Sequence, residues 1–147
     1  MTVQGVEELQ RNLTKLADRY GNAVANALLV SGEMVKSTAV RSIQTRSSGE
    51  TVTRYRQGGG SYQHTASSPG SPPNTDTGRL ASSIAVEVQR DDVYVGSGVE
   101  YAPHLEFGTV NMPQGRPFMN PALEQNRRRI SKLISDAIKK TTDRGVK

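Results

Sequence analysis

There is no cysteine in the 147 residues, which excludes disulfides and thiolate metal sites and suits a reducing compartment. Tryptophan is absent too, phenylalanine occurs twice, and hydrophobic residues make up 34% of the chain. So little large apolar material builds a modest core and leaves part of the chain outside it. Long apolar runs are missing. The longest, residues 23–30, is interrupted by Asn26 and falls far short of the ~20 residues that span a bilayer. The opening MTVQGVEELQ has neither a basic nor an apolar signal segment, so the expectation is a soluble protein made without export. No internal repeat is visible.

The length suits a single domain over residues 1–147. The net charge of +5 is unevenly placed. Residues 121–147 carry eight basic groups against three acids (Glu124, Asp136, Asp143), so the first 120 residues are neutral overall. The basic character belongs to one C-terminal element.

Val6, Leu9, Leu13, Leu16 and Tyr20 recur at steps of three and four, which predicts an amphipathic helix closing near Gly21. A second helix is expected from about Asn22 to Ile43, with small apolar residues for close packing, and the two read as a helical hairpin. In Ser47–Thr75, 14 of the 29 residues are Gly, Ser or Pro, and Val52 and Ala66 are the only aliphatics. Such a segment buries too little to offset its chain entropy, so residues 47–75 are expected to form a flexible arm that orders on a partner. Asp76 or Thr77 is placed to cap a helical turn through Arg79-Leu80-Ala81-Ser82. Ile84, Val86 and Val88 alternate with Ala85, Glu87 and Gln89, Asp91-Asp92 makes a turn, and Val93 and Val95 continue as a second strand. A terminal amphipathic helix runs from about Pro121 to Thr142, with Asn120 as its cap and Pro121 in its first position. The fold class is therefore α+β: helical hairpin, long flexible loop, β-hairpin, C-terminal helix.

Chemistry is sparse. His104 and Glu106 are close in sequence, but no third ligand stands at a metal-site spacing. Gly96-Ser97-Gly98 follows a hairpin and lacks the context of a dinucleotide loop, Gly58-Gly59-Gly60 lacks a phosphate-loop lysine, and no serine sits in a nucleophile elbow. No catalytic residue, metal ligand or cofactor is assigned, and the expectation is a protein that is not an enzyme. The cluster Arg127, Arg128, Arg129 with Lys132 is a candidate phosphate-binding patch through counterion release. Aromatics do not interleave it, and Glu124 and Asp136 share its helix. Arg79 and Glu106 either are exposed or form charge-assisted pairs that fix a loop or bridge to a neighbouring subunit.

The densest segment is Val99–Ala122, VEYAPHLEFGTVNMPQGRPFMNPA, where Tyr101 and Phe107 flank Glu106, Gly108 permits a turn and Arg116-Pro117-Phe118 follows. With Gly5-Val6-Glu7-Glu8-Leu9 and Ser68-Pro69-Gly70-Ser71-Pro72-Pro73 leading into Asp76-Thr77-Gly78-Arg79-Leu80, this order of landmarks resembles the neck, or head–tail joining, proteins of long-tailed, lambda-like bacteriophages, also called tail-completion proteins. The resemblance implies a non-enzymatic virion structural protein at the head–tail interface, present in the host cytoplasm during assembly. It would be one subunit of a homo-oligomeric ring, six- or twelve-fold, around the DNA channel. Its partners would be other neck and tail proteins, with non-specific DNA contact and no membrane. Candidate assembly contacts are Arg54, Tyr55, Arg56 and Tyr62 in the arm, Arg79, and Tyr101, Glu106, Phe107, Arg116 and Phe118 in the dense segment. An open hairpin edge could also extend a sheet between subunits. The alternative is a basic nucleic-acid-binding accessory protein that uses the C-terminal helix.

Overall fold

A computed structural model describes residues 6–145. Gly5 of the opening landmark and Lys147 of the basic tail lie outside the described residues. The expected N-terminal hairpin is instead one helix, α1 (Val6–Gln44). The reason is periodic: Leu9, Leu13, Leu16, Tyr20, Ala23 and Ala27 keep steps of four and three straight through Gly21. A glycine inside a helix costs only about 1 kcal/mol and ends it only if the backbone turns left-handed. Here it stays helical, and a side chain at Gly21 would meet nothing within 4 Å.

The antiparallel partner of α1 is the terminal helix α4 (Met119–Gly145). Buried Asn126 of α4 donates from Nδ2 to Thr38 Oγ1 and to Ala122 O, both at 2.8 Å. At the far end the Tyr20 and Thr142 hydroxyls bond to each other. These pairings fix the register of the two helices. At 1.5 Å per residue α1 is about 58 Å long and α4 about 40 Å, so the first turns of α1 run past the end of α4. Leu9 and Leu13 lie exposed on that overhang.

Strands β3 (Ile84–Gln89) and β4 (Asp92–Ser97) form the expected antiparallel hairpin, with Gln89 opposite Asp92 at its tip. Ile84, Val86, Val88, Val93 and Val95 turn inward and the alternate residues outward, as period two requires. The sheet lies directly on α1 at Gly32. A side-chain carbon there would stand 2.5 Å from Val86 Cγ1 and 2.7 Å from Val93 Cγ2, so only glycine allows this approach. The core is a single cluster in which Val35, Ala39 and Ile43 of α1 meet Leu80, Ile84, Val99, Ala102, Phe118 and Ala122.

Residues 47–75 are not the unstructured loop the composition suggests. They contain a second antiparallel hairpin, β1 (Thr51–Tyr55) and β2 (Ser61–Thr65). Gly58, Gly59 and Gly60, all at positive φ, form its turn, closed by Arg56 N donating to Gly60 O at 2.9 Å. Few of its side chains are buried, so backbone pairing and tethers to the body hold the hairpin in place of a core of its own.

Candidate functional site

The dense segment is organised by one carboxylate. Ala102–Phe107 form a short helix, α3, which ends where Gly108 takes φ 85° and donates its N–H to His104 O at 3.0 Å. Glu106, near the end of α3, reaches the start of α4. Its Oε2 accepts from Phe118 N at 2.8 Å and Met119 N at 2.9 Å, and its Oε1 accepts from Asn120 N at 2.8 Å. A helix N-terminus has unpaired N–H groups and a positive dipole end, and a carboxylate satisfies both. Asn120 is therefore not the cap the sequence suggests, because its own N–H is a donor to Glu106. The loop between α3 and α4 closes through Arg116 N to Leu105 O at 2.6 Å and the Thr109–Met112 pairing. A side chain at Gly108 would come within 2.6 Å of Met112 O, and one at Gly115 within 2.9 Å of Leu105 O. His104 is exposed on α3 and has no bond to Glu106, which is fully engaged with the helix start.

The β1–β2 hairpin is held by three side chains, Asn74, Asp76 and Arg116, of which Arg116 belongs to this segment. Asn74 bridges the two ends of the arm: Oδ1 accepts from Ser47 N at 2.8 Å, and Nδ2 donates to Ser47 O at 2.8 Å and to Thr65 O at 2.9 Å. Arg116 donates from Nε at 3.1 Å and Nη2 at 3.0 Å to Ser67 O. The Asp76 carboxylate accepts from Arg54 Nη1 and from Tyr62 OH at 3.1 Å, and lies 3.7 Å from His64 Nδ1. Asp76 thus faces the hairpin and does not cap α2 (Arg79–Ser83), whose N-cap is Gly78 at φ 77°. These groups surround a pocket of about 440 Å³, into which Arg79 and Tyr101 also project their lining surfaces. Sequence reading misses Asn74 and the anchoring role of Asp76. The only signal available was the run Asn74-Thr75-Asp76-Thr77-Gly78, dense in residues that bond to backbone.

The candidate contact residues thus divide by environment. Phe118 is 2% exposed at the centre of the core, and Glu106 and Arg116 are committed to internal hydrogen bonds. Arg54 and Tyr62 hold Asp76, and Arg56 lies 5.4 Å from the centroid of the Tyr62 ring. Tyr55 and Phe107 are each 82% exposed, with Tyr101 and Arg79 also outside. On α4 the three consecutive arginines fan out around the helix, since successive residues are about 100° apart. Arg127 bonds Glu124 at 2.5 Å, which holds its guanidinium proton more firmly than usual. Arg129 turns toward the α1 groove that Arg41 lines, so Arg128 and Lys132, one turn apart, are the pair that shares a face. Among the described residues no three His, Asp or Glu side chains group as a metal site, and no helix is long and apolar enough to cross a membrane.

Comparison with known families decides the class of this molecule. The family described as "Bacteriophage HK97-gp10, putative tail-component" matches residues 7–108. The chain belongs to the HK97-gp10-like family. The match takes in α1, both hairpins and α3 and ends at Gly108, just beyond the Glu106 carboxylate; the Arg116-Pro117-Phe118 landmark and α4 lie outside it. No curated protein and no solved structure matches the chain. Family membership makes this a bacteriophage structural protein of the tail-component class, a component of the virion that works among other phage tail proteins.

Proposed function

We propose that this HK97-gp10-like chain is a non-enzymatic subunit of the head–tail junction, acting in neck assembly or tail completion as part of a ring around the DNA channel. Beside its family membership, one observation supports an assembly unit: two of the most exposed apolar side chains stand beside the hydrogen-bonded junction of α3 and α4. Phe107 at 82% and Val110 at 97% exposure follow directly on Glu106, whose carboxylate holds the loop and α4 in place. A rigid support with large apolar groups on it is the anatomy of a docking surface. The exposed residues Tyr55, Arg79, Tyr101 and Phe107 are the contacts this reading uses, on one domain that includes the 47–75 hairpin.

The test is electron microscopy of a lysate from a phage or prophage with a stop codon at Tyr20. The expected result is DNA-filled heads beside finished, unattached or misfinished tails. Normal infectious particles would overturn the reading. They would favour the alternative, a nucleic-acid-binding accessory protein, which requires DNA affinity that falls steeply with salt through Arg128 and Lys132.

A further inference from the structure

The pocket beside Asp76 has an unbalanced charge. Arg54 is neutralised by Asp76 and Arg116 is spent on Ser67 O, but the Arg79 guanidinium on its rim has no hydrogen bond or ion pair among the described residues. The opposite imbalance stands at the tip of β3–β4. There Asp91 and Asp92 are exposed and their carboxylates are unpaired among the described residues, with Glu87 two residues before Gln89 on β3 and Arg90 as the only cation in the turn.

These two features cannot meet within one molecule. The base of the hairpin, Ile84, shares the core with Ile43 and Leu80 beside the pocket, while Val86 and Val93 cross α1 at Gly32 on the way to the tip. Five strand steps from Ile84 to Gln89 carry the tip roughly 17 Å away from the pocket end. We propose that the Asp91–Asp92 tip of one copy docks at the Arg79 pocket of the next, with the unpaired Arg79 guanidinium as the group that receives the carboxylates. Because the two patches differ, the contact is heterologous, and repeating it generates a closed ring or an open filament rather than a two-fold dimer. A nucleic-acid phosphate is the poorer occupant, since the exposed cations of α4 that a charged backbone would also need do not line this pocket. The inference rests on the ring reading above and names its contact.

The test uses the full chain purified as wild type, Arg79→Glu and Asp91→Lys/Asp92→Lys, with circular dichroism to show that each is folded and native mass spectrometry to read association. Wild type should self-associate, less so at high salt, and each variant alone should associate about tenfold or more weakly. Mixed one to one, the variants should associate again, because the acidic tip of one meets the Arg79 pocket of the other, whose lysine tip faces the substituted pocket with the charges exchanged. A wild type that stays monomeric at every concentration overturns the contact. So does a mixture that stays monomeric, or an Arg79→Glu protein that associates normally but loses DNA retention. The lysate experiment judges the junction role separately: unattached tails with a monomeric purified protein would remove this contact and leave that role standing.

Discussion

Glu106 accepts the N–H of Phe118 at 2.8 Å, joining α3 to the first turn of α4 across twelve residues. Through this bond and its two neighbours at Met119 and Asn120, one side chain sets where the terminal helix begins and how it leaves the loop. Replacing Glu106 by Ala leaves three helix-start amides without an acceptor. It should cost about 2–3 kcal/mol, with Glu106→Gln milder because its amide oxygen still accepts. Thermal melts should fall by roughly 4–10 °C for Ala and less for Gln. Unchanged melting of the Ala variant would mean that the capping carries no weight.

Two glycines of α1 predict opposite signs. Gly21→Ala fills open space on a continuous helix and should stabilise by about 0.5–1 kcal/mol. Gly32→Ala should destabilise by about 1–3 kcal/mol, because its new carbon meets Val86 and Val93. Urea titrations of the pair would check both. A destabilising Gly21→Ala would point back to a break in the helix there.

The two phenylalanines also separate. Phe118→Ala empties the centre of the core and should cost about 3–5 kcal/mol. Phe107→Ala removes a ring that is mostly in solvent and should change stability by no more than about 0.5 kcal/mol. Under the proposed function the second variant should fold normally yet fail to complement a defective phage, and full complementation by it would exclude Phe107 as a contact.

The β1–β2 hairpin is held by few tethers, so removing one should free it without unfolding the body. Asn74→Ala cuts its bonds to Ser47 and Thr65 at the base, and Asp76→Ala releases Arg54 and Tyr62. Both should speed tryptic cleavage at Arg54 and Arg56 several-fold while the melting temperature moves by only a few degrees. Equal cleavage rates in wild type and variants would show that these side chains do not anchor the hairpin.

Local periodicity carried much of the architecture. The alternation from Ile84 to Val95 placed a hairpin that the structure has, and the apolar spacing of residues 121–142 placed α4. Composition misled in two places. Gly21 carries a helix-end signal, although the apolar steps run through it. The Gly- and Ser-rich stretch has the composition of a flexible arm, although its three consecutive glycines supply the positive φ values of the β1–β2 turn. In both cases glycine permits a conformation without specifying it, and the choice belongs to the neighbours.

By itself, the sequence determined the elements whose signal is local: the amphipathic C-terminal helix, helical periodicity in the first 43 residues, the valine-rich hairpin, a basic C-terminus, and an order of landmarks that resembles phage head–tail joining proteins. Only the tertiary structure decided which groups meet. It made α4 the partner of α1, put Phe118 inside and Phe107 outside, gave Glu106 to the amides of α4, and turned Asp76 toward Arg54 and Tyr62. The physical reason is range. Periodicity and turn propensity act over a few residues, whereas each of these pairings joins groups 12 or more residues apart, and it is the packing of α1 against α4 and the β3–β4 sheet that brings the chain back on itself.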